Sequence, residues 1–480
     1  MHLPEAVKYI IDELNRRGHE AYAVGGCVRD ALLGREPEDW DVTTSAEPQE
    51  IKDIFPVTID TGIRHGTVTV RIDGENYEVT TFRTDGNYAD HRRPEEVYFT
   101  KSLEEDLLRR DFTINAMAWS TGRLVDLYGG QQDLANGIIR CVGDPFERFT
   151  EDALRILRAF RFAAQLSVPH TPAVGDGATG DTAGNTTTGN AATGDTAGGL
   201  RAADHFVIEP ETREAIKAHR EDLRYISAER IQAEMTKILT SPHPEIIRDM
   251  YELGVTEVIL PEFDPLMKVE QRNPHHCLSA GEHTIKAMQE IQPTPVLRWT
   301  MLIHDMGKAV CHQFEDGKDK YKGHAKVSEQ YARDIMNRMK MDNATSRAVT
   351  KLVRVHDDRM PAEPRTVRRA INRIGEDLFE DYCKVRRADV LAQSMYLREE
   401  KIKNLDDINA LYKQILAEKQ CVSLKDLAVT GSDLIAEGIE PGPEIGEILQ
   451  QMLEWVIDDP AMNEKEKLLA RWQAVDRVGL

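Results

Sequence analysis

What the chain lacks narrows its class first. No apolar run approaches the roughly 20 residues that a membrane-spanning helix needs, and no basic stretch followed by an apolar one opens the N-terminus. Neither membrane association nor a secretory signal is therefore expected. Cysteine is sparse and scattered: Cys27, Cys141, Cys277, Cys311, Cys383 and Cys421 form no Cys-x-x-Cys pair, which suits reduced thiols in a cytoplasm rather than a disulfide framework. Positive charge is in deficit. A net charge of −21 speaks against broad binding of nucleic acid, which depends on Lys and Arg meeting phosphate. A local basic path stays open, because cations gather at His91-Arg92-Arg93, at Arg109-Arg110, at Arg155, Arg158 and Arg161, and from Arg365 to Arg373. Large apolar side chains are nearly missing from 170–203, where Gly, Thr and Ala dominate and Ala-Thr-Gly-Asp-Thr-Ala-Gly occurs at 178–184 and again at 192–198. Such a segment cannot bury enough surface to offset its ordering entropy, so a surface insertion is expected. Its Gly/Asp spacing matches no calcium-binding loop.

The remainder is globular in kind. With 480 residues the soft prior is about three domains. Val7, Ile10, Ile11 and Leu14 at helical spacing predict a helix within 1–22. Ala21–Val24 reads as a strand, Val28–Leu33 as a helix closed by Gly34, and Asp39–Thr43 as a second strand. Thr67–Ile72 and Tyr77–Phe82 flank Asp73-Gly74 as a hairpin. From Pro145 onward the periodicity is helical almost to the end. The expected fold is α+β: a small mixed-sheet head over 1–142, a helical neck over 143–254 that carries the insertion, a helical body over 255–390 and a helical tail over 391–480.

Two constellations carry chemistry. In the first, Gly25-Gly26-Cys27-Val28-Arg29-Asp30 is followed by Asp39-Trp40-Asp41. Glycine lets backbone approach phosphate, and arginine offers a fork of donors for phosphate oxygens. In an extended segment, Asp39 and Asp41 share a face, where two carboxylates can grip Mg²⁺ together with substrate phosphates. Glu78 could supply a third carboxylate. Arg110 could reach triphosphate oxygens, and Asp111 or Asn115 could bond a ribose hydroxyl or organise the site from behind. On a helix, Asp152, Arg155 and Arg158 fall three apart along one face, with Arg161 beyond. Asp152 and Arg155 set an acceptor beside a donor, which matches the pairing edges of cytosine and adenine and mismatches guanine and uracil; a plain intrahelical ion pair is the alternative. Ser227 is expected to cap a helix in which Glu229, Arg230 and Glu234 brace structure. The 85–94 loop carries Arg92 and Arg93 and could close over a substrate. In the second constellation, His283, the pair His304-Asp305 on a helix, His324, His356 and Asp389 suit a divalent or transition metal that activates water.

In this order Gly-Gly-x-x-Arg-Asp, Asp-x-Asp, Arg-Arg-Asp-Phe-Thr-x-Asn-Ala, Glu-Asp-x-x-Arg-x-x-Arg and Ser-x-Glu-Arg-Ile resemble the class II tRNA nucleotidyltransferases. These are the CCA-adding enzymes of the DNA polymerase beta superfamily, with bacterial poly(A) polymerases as close relatives. The resemblance covers nearly the whole chain outside 170–203. It implies that Asp39 and Asp41 are the magnesium acids of a two-metal reaction. It further implies that Gly26, Arg29 and Arg110 contact triphosphate, that Asp152 and Arg155 read the base, and that Arg158 and Arg161 lie near nucleotide or RNA. The 85–94 stretch resembles the family's flexible loop. Residues 255–390 resemble an HD phosphohydrolase domain that some members carry, and the tail would bind tRNA. The implied partners are tRNA, CTP and ATP. The rival readings are poly(A) or A addition, an HD phosphohydrolase acting on cyclic nucleotides or 2′,3′-cyclic phosphate ends, and a noncatalytic RNA-binding scaffold. Oligomeric state is not legible.

Overall fold

The apolar stripe Val7, Ile10, Ile11 and Leu14 does fold as a helix, Glu5–Arg16, with all four side chains buried. In the computed structural model, which describes residues 1–85, 97–168, 203–272, 274, 275, 277–315 and 317–476, that helix packs beside a seven-stranded mixed sheet. Up to Asp126 the chain forms nine strands in order: β1 Ala21–Val24, β2 Val42–Thr44, β3 Thr58–Gly62, β4 Thr67–Ile72, β5 Glu75–Thr81, β6 Arg83–Asp85, β7 Val97–Phe99, β8 Met117–Ser120 and β9 Arg123–Asp126. The main sheet runs β3-β4-β5-β2-β1-β8-β9, and β6 pairs with β7 apart from it. The expected β4–β5 hairpin is present, and its turn takes positive φ at both Asp73 and Gly74, the requirement of a type I′ turn. Most of the 85–94 loop and of the 170–203 insertion lies outside the described residues.

Two expectations need correction. The second strand begins at Val42, so Asp39 and Asp41 precede it rather than alternate within it. Asp152 is not on the helix with Arg155: the helix Pro145–Glu151 ends there, with Asp152 extended at φ −144 and ψ 101, and the next helix runs Leu154–Leu166.

The chain divides into two units, Met1–Ile259 and Leu260–Leu480. The first continues past the sheet into helices, among them Pro210–His219 and Ala228–Leu239. Ser227 does sit at the cap position of the latter, but its side chain makes no capping bond. The second unit is built on helices including Ala280–Gln289, Pro295–Ile303, His324–Arg338, Asn343–Val355, Glu376–Ala392 and Arg398–Ala417. One core there gathers Phe379, Tyr382, Leu352 and Ile408; another gathers Leu434, Met452, Leu453 and Val456. A hairpin, Gln313–Glu315 with Lys318–Lys320, interrupts the helices, a departure from the all-helical expectation. Among the described residues no helix is long and apolar enough to cross a membrane.

Candidate active site and metal cluster

Parallel pairing of β2 with β5 aligns Val42 with Val79. Asp41, just before β2, and Glu78, within β5, each precede one of these valines and therefore stand side by side. The backbone of Asp41 is fixed from the other flank, where its carbonyl accepts from the Val24 amide at 3.0 Å. Asp39, Asp41 and Glu78 are all solvent-accessible, and among the described residues none of the three carboxylates has a hydrogen-bond or ion-pair partner. Asp41 is nonetheless hemmed in by enough protein to lose hydration. That burial raises its pKa above the ordinary value, the charges of Glu78 and Asp39 raise it further, and Arg110 opposes them. Negative charge is thus concentrated and only partly offset by Arg110, which is the electrostatic fit for a divalent cation. The three acids do not converge on one point: among the described residues, the sets of three ligand groups whose atoms all lie within 4.8 Å of one another belong to the second unit.

The arginines around these acids are held by carboxylates behind them. Gly25 has φ +84, and a Cβ there would lie 3.0 Å from Arg110 Nη1, so glycine permits the guanidinium to rest on the backbone. Arg110 Nη2 donates to Asp106 Oδ2 at 3.3 Å, and its Nε is buried with no partner among the described residues. Gly26 opens the short helix Gly26–Leu32. Arg29 donates to Asn115 Oδ1 at 2.7 Å and clasps Asp30 at 2.9 and 2.8 Å. Asn115 Nδ2 donates to Asp111 Oδ1 at 3.0 Å, and Arg158 Nε donates to Asp111 Oδ2 at 2.7 Å. Burial alone would raise the Asp111 pKa, but the charge and bonds of Arg158 and Asn115 outweigh it and hold the carboxyl well below its usual range. The guanidinium carbons of Arg29, Arg158 and Arg161 lie 5.0, 5.3 and 4.1 Å from the centre of the Phe162 ring. Gly25, Arg29, Arg110, Asp111, Asn115 and Arg158 are thereby brought into one neighbourhood, with Asp111 and Asn115 acting as braces.

Asp152 and Arg155 are not paired with each other. Asp152 accepts from Arg230 at 2.7 and 3.3 Å. Arg155 is buried and donates to Glu151 at 2.6 Å, to the Arg148 carbonyl at 3.2 Å and to the Arg109 carbonyl at 2.9 Å. Arg161 is bound by Glu234 at 2.6 Å, so the bracing expected of Arg230 and Glu234 is in place. The intrahelical pair at Asp152 and Arg155 is corrected by the break at Asp152.

Asp106 escaped notice in the sequence, as did the pairing of Glu151 with Arg155 and of Arg230 with Asp152. Asp106 is fully buried and accepts from Thr43 of β2 at 3.1 Å, from Arg109 at 2.7 Å and from Arg110. Its spacing three and four residues before the two arginines on the helix Leu103–Leu108 was a legible signal. Arg230 offered none, because its partner lies 78 residues away.

In the second unit all six predicted residues meet in one buried cluster. His304 caps the end of Pro295–Ile303 and Asp305 lies in the following turn, a correction to the expected helical pair. Three imidazoles donate Nδ1–H to the carbonyl three residues earlier: His304 to Met301 at 2.6 Å, His324 to Tyr321 at 2.9 Å and His356 to Val353 at 2.7 Å. Their Nε2 lone pairs therefore all face inward. Asp305 Oδ1 lies 3.4 Å from Nε2 of both His324 and His356, and Oδ2 lies 3.2 Å from His304 Nε2. His283 Nε2 lies 3.0 Å from Asp389 Oδ1. Burial raises the pKa of both Asp305 and Asp389, yet the surrounding cations and hydrogen bonds leave both well below the usual carboxylate range. The groups fall into two sets, His283, His304 and Asp389, and Asp305, His324 and His356. Nε2 of His324 and His356 approach to 3.1 Å. A proton shared between them or a metal ion beside both accounts for that approach, and the N/O donor set fits a divalent or transition ion.

Comparison with known proteins places these features in context. Residues 21–140 match a model described as the poly(A) polymerase head domain. Residues 205–267 match one described as "Probable RNA and SrmB-binding site of polymerase A", and 323–471 match tRNA nucleotidyltransferase domain 2. The CCA-adding enzyme of Levilactobacillus brevis is 34% identical over 475 residues, 98% of each chain. That of Geobacillus thermodenitrificans is 47% identical over 234 residues, 48% of each chain. Among solved structures, the Bacillus stearothermophilus CCA-adding enzyme in complex with CTP superposes with a TM-score of 0.68 at 27% identity, covering 99% of this chain and 100% of that one.

Proposed function

This chain belongs to the CCA-adding enzyme family, and from that premise we infer how its own residues carry the reaction. The enzyme adds C, C and A to the 3′ end of tRNA, drawing on CTP and ATP and releasing pyrophosphate. The carrying observation is the group of acids just before β2 and within β5, with Arg110 laid on Gly25 nearby. Asp39, Asp41 and Glu78 are assigned to hold Mg²⁺. When bound, such ions neutralise phosphate charge and lower the pKa of the terminal ribose hydroxyl. Arg29 and Arg110, with Gly25 and Gly26 giving close approach, bind the triphosphate. Asp111 and Asn115 position Arg29 and Arg158, and Arg158 and Arg161 lie along the nucleotide or RNA. Asp152 and Arg155 choose the base; the complementarity of a carboxylate and a guanidinium to the edges of C and A supports this. Since Arg230 and Glu151 occupy them now, nucleotide entry exchanges these partners. The division assigned is head 1–142, neck 143–254, HD-type body 255–390 and tRNA-binding tail 391–480, in a cytoplasmic enzyme.

The test supplies tRNA lacking its 3′ end with each triphosphate singly and sequences the product. CTP alone should extend by two residues and ATP should follow only after them. Incorporation of GTP or UTP as readily as CTP would remove Asp152 and Arg155 from base choice.

A second reading is favoured by the close Nε2 atoms of His324 and His356: the body holds a metal-dependent phosphohydrolase centre built on His283, His304, Asp305, His324, His356 and Asp389. An ion bound there lowers the pKa of a water so that it can attack phosphorus. His304→Ala should abolish metal-dependent phosphate-ester hydrolysis and leave CCA addition intact; loss of both, or of neither, would refute that centre.

A further inference from the structure

We propose that the cavity between the helices Glu376–Ala392 and Arg398–Ala417 is the leaving-group subsite of this phosphohydrolase centre, and that the substrate is a phosphate ester with a flat apolar body. The inference rests on the second reading above. Two cavities adjoin. One, of about 500 Å³, opens over Asp305, His324, His356 and Asp389, and Lys308, Lys318, Lys320 and Lys322 line it. Asp319 and Asp357 line it as well, and Lys308 and Lys320 are paired with Asp305 and Glu315 at 2.7 and 2.8 Å, so Lys318 and Lys322 are the cations placed for a phosphate dianion. The other, of about 440 Å³, has the buried Tyr382, Val390, Leu405 and Ile408 at its base, while Asp358, Arg359, Glu400, Lys401 and Asn404 make its rim polar. Both are within the range of ligand sites, about 300–1,000 Å³. His275, Arg359 and Gln393 line both and form the sill between them.

The apolar cavity is wired to the cluster through two contacts. Arg386, on its wall, donates to Asp389 Oδ2 at 3.0 Å and to the His356 carbonyl at 2.7 Å. Lys401 donates to Gln393 Oε1 at 2.7 Å, and Gln393 Nε2 lies 3.2 Å from both oxygens of Asp389. Of the two acids at the cavity wall, Asp358 is engaged by Arg373 at 2.7 Å, and Glu400 is exposed at the rim, away from the buried apolar base. A planar apolar body can lie against the Tyr382 and Leu405 wall with its phosphate across the sill. In the reaction, the water oxygen bonds to phosphorus, the bond from phosphorus to the ester oxygen breaks, and that oxygen takes a proton and leaves as an alcohol held in the apolar cavity.

The test uses the full chain stripped of metal by chelation, with CTP in excess to occupy the nucleotide site. Calorimetric titration with 1-naphthyl phosphate and with inorganic phosphate should find the ester bound at least tenfold more tightly. Leu405→Trp, which fills the cavity, should weaken the ester at least tenfold and inorganic phosphate less than twofold. Lys401→Gln, a milder change, should weaken the ester at least threefold, and the calorimetric melting transition of the second unit checks folding of both variants. Equal binding of ester and phosphate, or unaltered ester affinity in both variants, would overturn the subsite. If the metal-loaded enzyme releases phosphate from no ester, the phosphohydrolase reading fails, whereas a tight ester that Leu405→Trp weakens upholds the cavity as its site.

Discussion

At Asp41, burial raises the carboxyl pKa, Glu78 and Asp39 raise it further, and Arg110 pulls it down. A carboxyl whose folded value lies above its unfolded value of about 3.9 costs stability once ionised, and that cost is absent at pH values below the unfolded value. Asp41→Asn removes the charge. It should raise the melting temperature at pH 7 by about 2 °C, give no gain near pH 3.5, and lower CCA addition at least about a hundredfold. Thermal melts at the two pH values and incorporation of labelled CTP measure this; an unstabilised variant at pH 7 would contradict the charge conflict. Residues of this kind were legible because glycine, arginine and aspartate were spaced along one short stretch of chain. The partner of Asp152 was not, because Arg230 reaches it across 78 residues, whereas Glu151 and Arg155 stand four apart, a spacing that pairs them on a helix with or without the break.

Periodicity located most elements, yet it did not reveal what fixes their separation. The apolar stripe that predicted Glu5–Arg16 is local, and so is the turn at Asp73-Gly74. The close approach of Gly281 to Met267 is not. On the helix Ala280–Gln289, a Cβ at Gly281 would lie 2.3 Å from Met267 Sδ and 2.7 Å from its Cα. The sulfur could swing aside; the backbone carbon could not. Gly281→Ala should therefore push this helix away, destabilise the unit by about 1–3 kcal/mol and displace His283 two residues on, weakening metal affinity at least about tenfold. Urea denaturation and equilibrium dialysis with Mn²⁺ read the two effects. Unchanged affinity would mean that His283 is positioned independently of helix packing. The break at Asp152 was equally hidden, because Glu151 to Arg161 has an unbroken helical pattern and no glycine or proline.

For the whole molecule, length suggested about three domains, while contacts resolve two units that meet between Ile259 and Leu260. Each has its own core, and all six His and Asp ligand candidates belong to the second. Scanning calorimetry should thus resolve two transitions. Mn²⁺ at about a hundred times its dissociation constant should stabilise the second unit by about 2.7 kcal/mol, EDTA should reverse that, and the first unit's transition should stay within about 1 °C in the absence of nucleotide. A single transition moved as a block by metal would contradict independent units. The α+β class was legible at this scale because sheet-forming alternation stops before Pro145. The hairpin Gln313–Glu315 with Lys318–Lys320 was not, since its strands are three residues each.

The pairing of β2 with β5 carries one further consequence. Val42 against Val79 sets both the buried face of the sheet and the neighbourly placement of Asp41 and Glu78. Sliding either strand by a single residue would turn its valine outward and its acid into the core. Misalignment therefore cannot yield a sound fold with a crippled site: quality control that discards badly packed heads removes the catalytically defective ones in the same act.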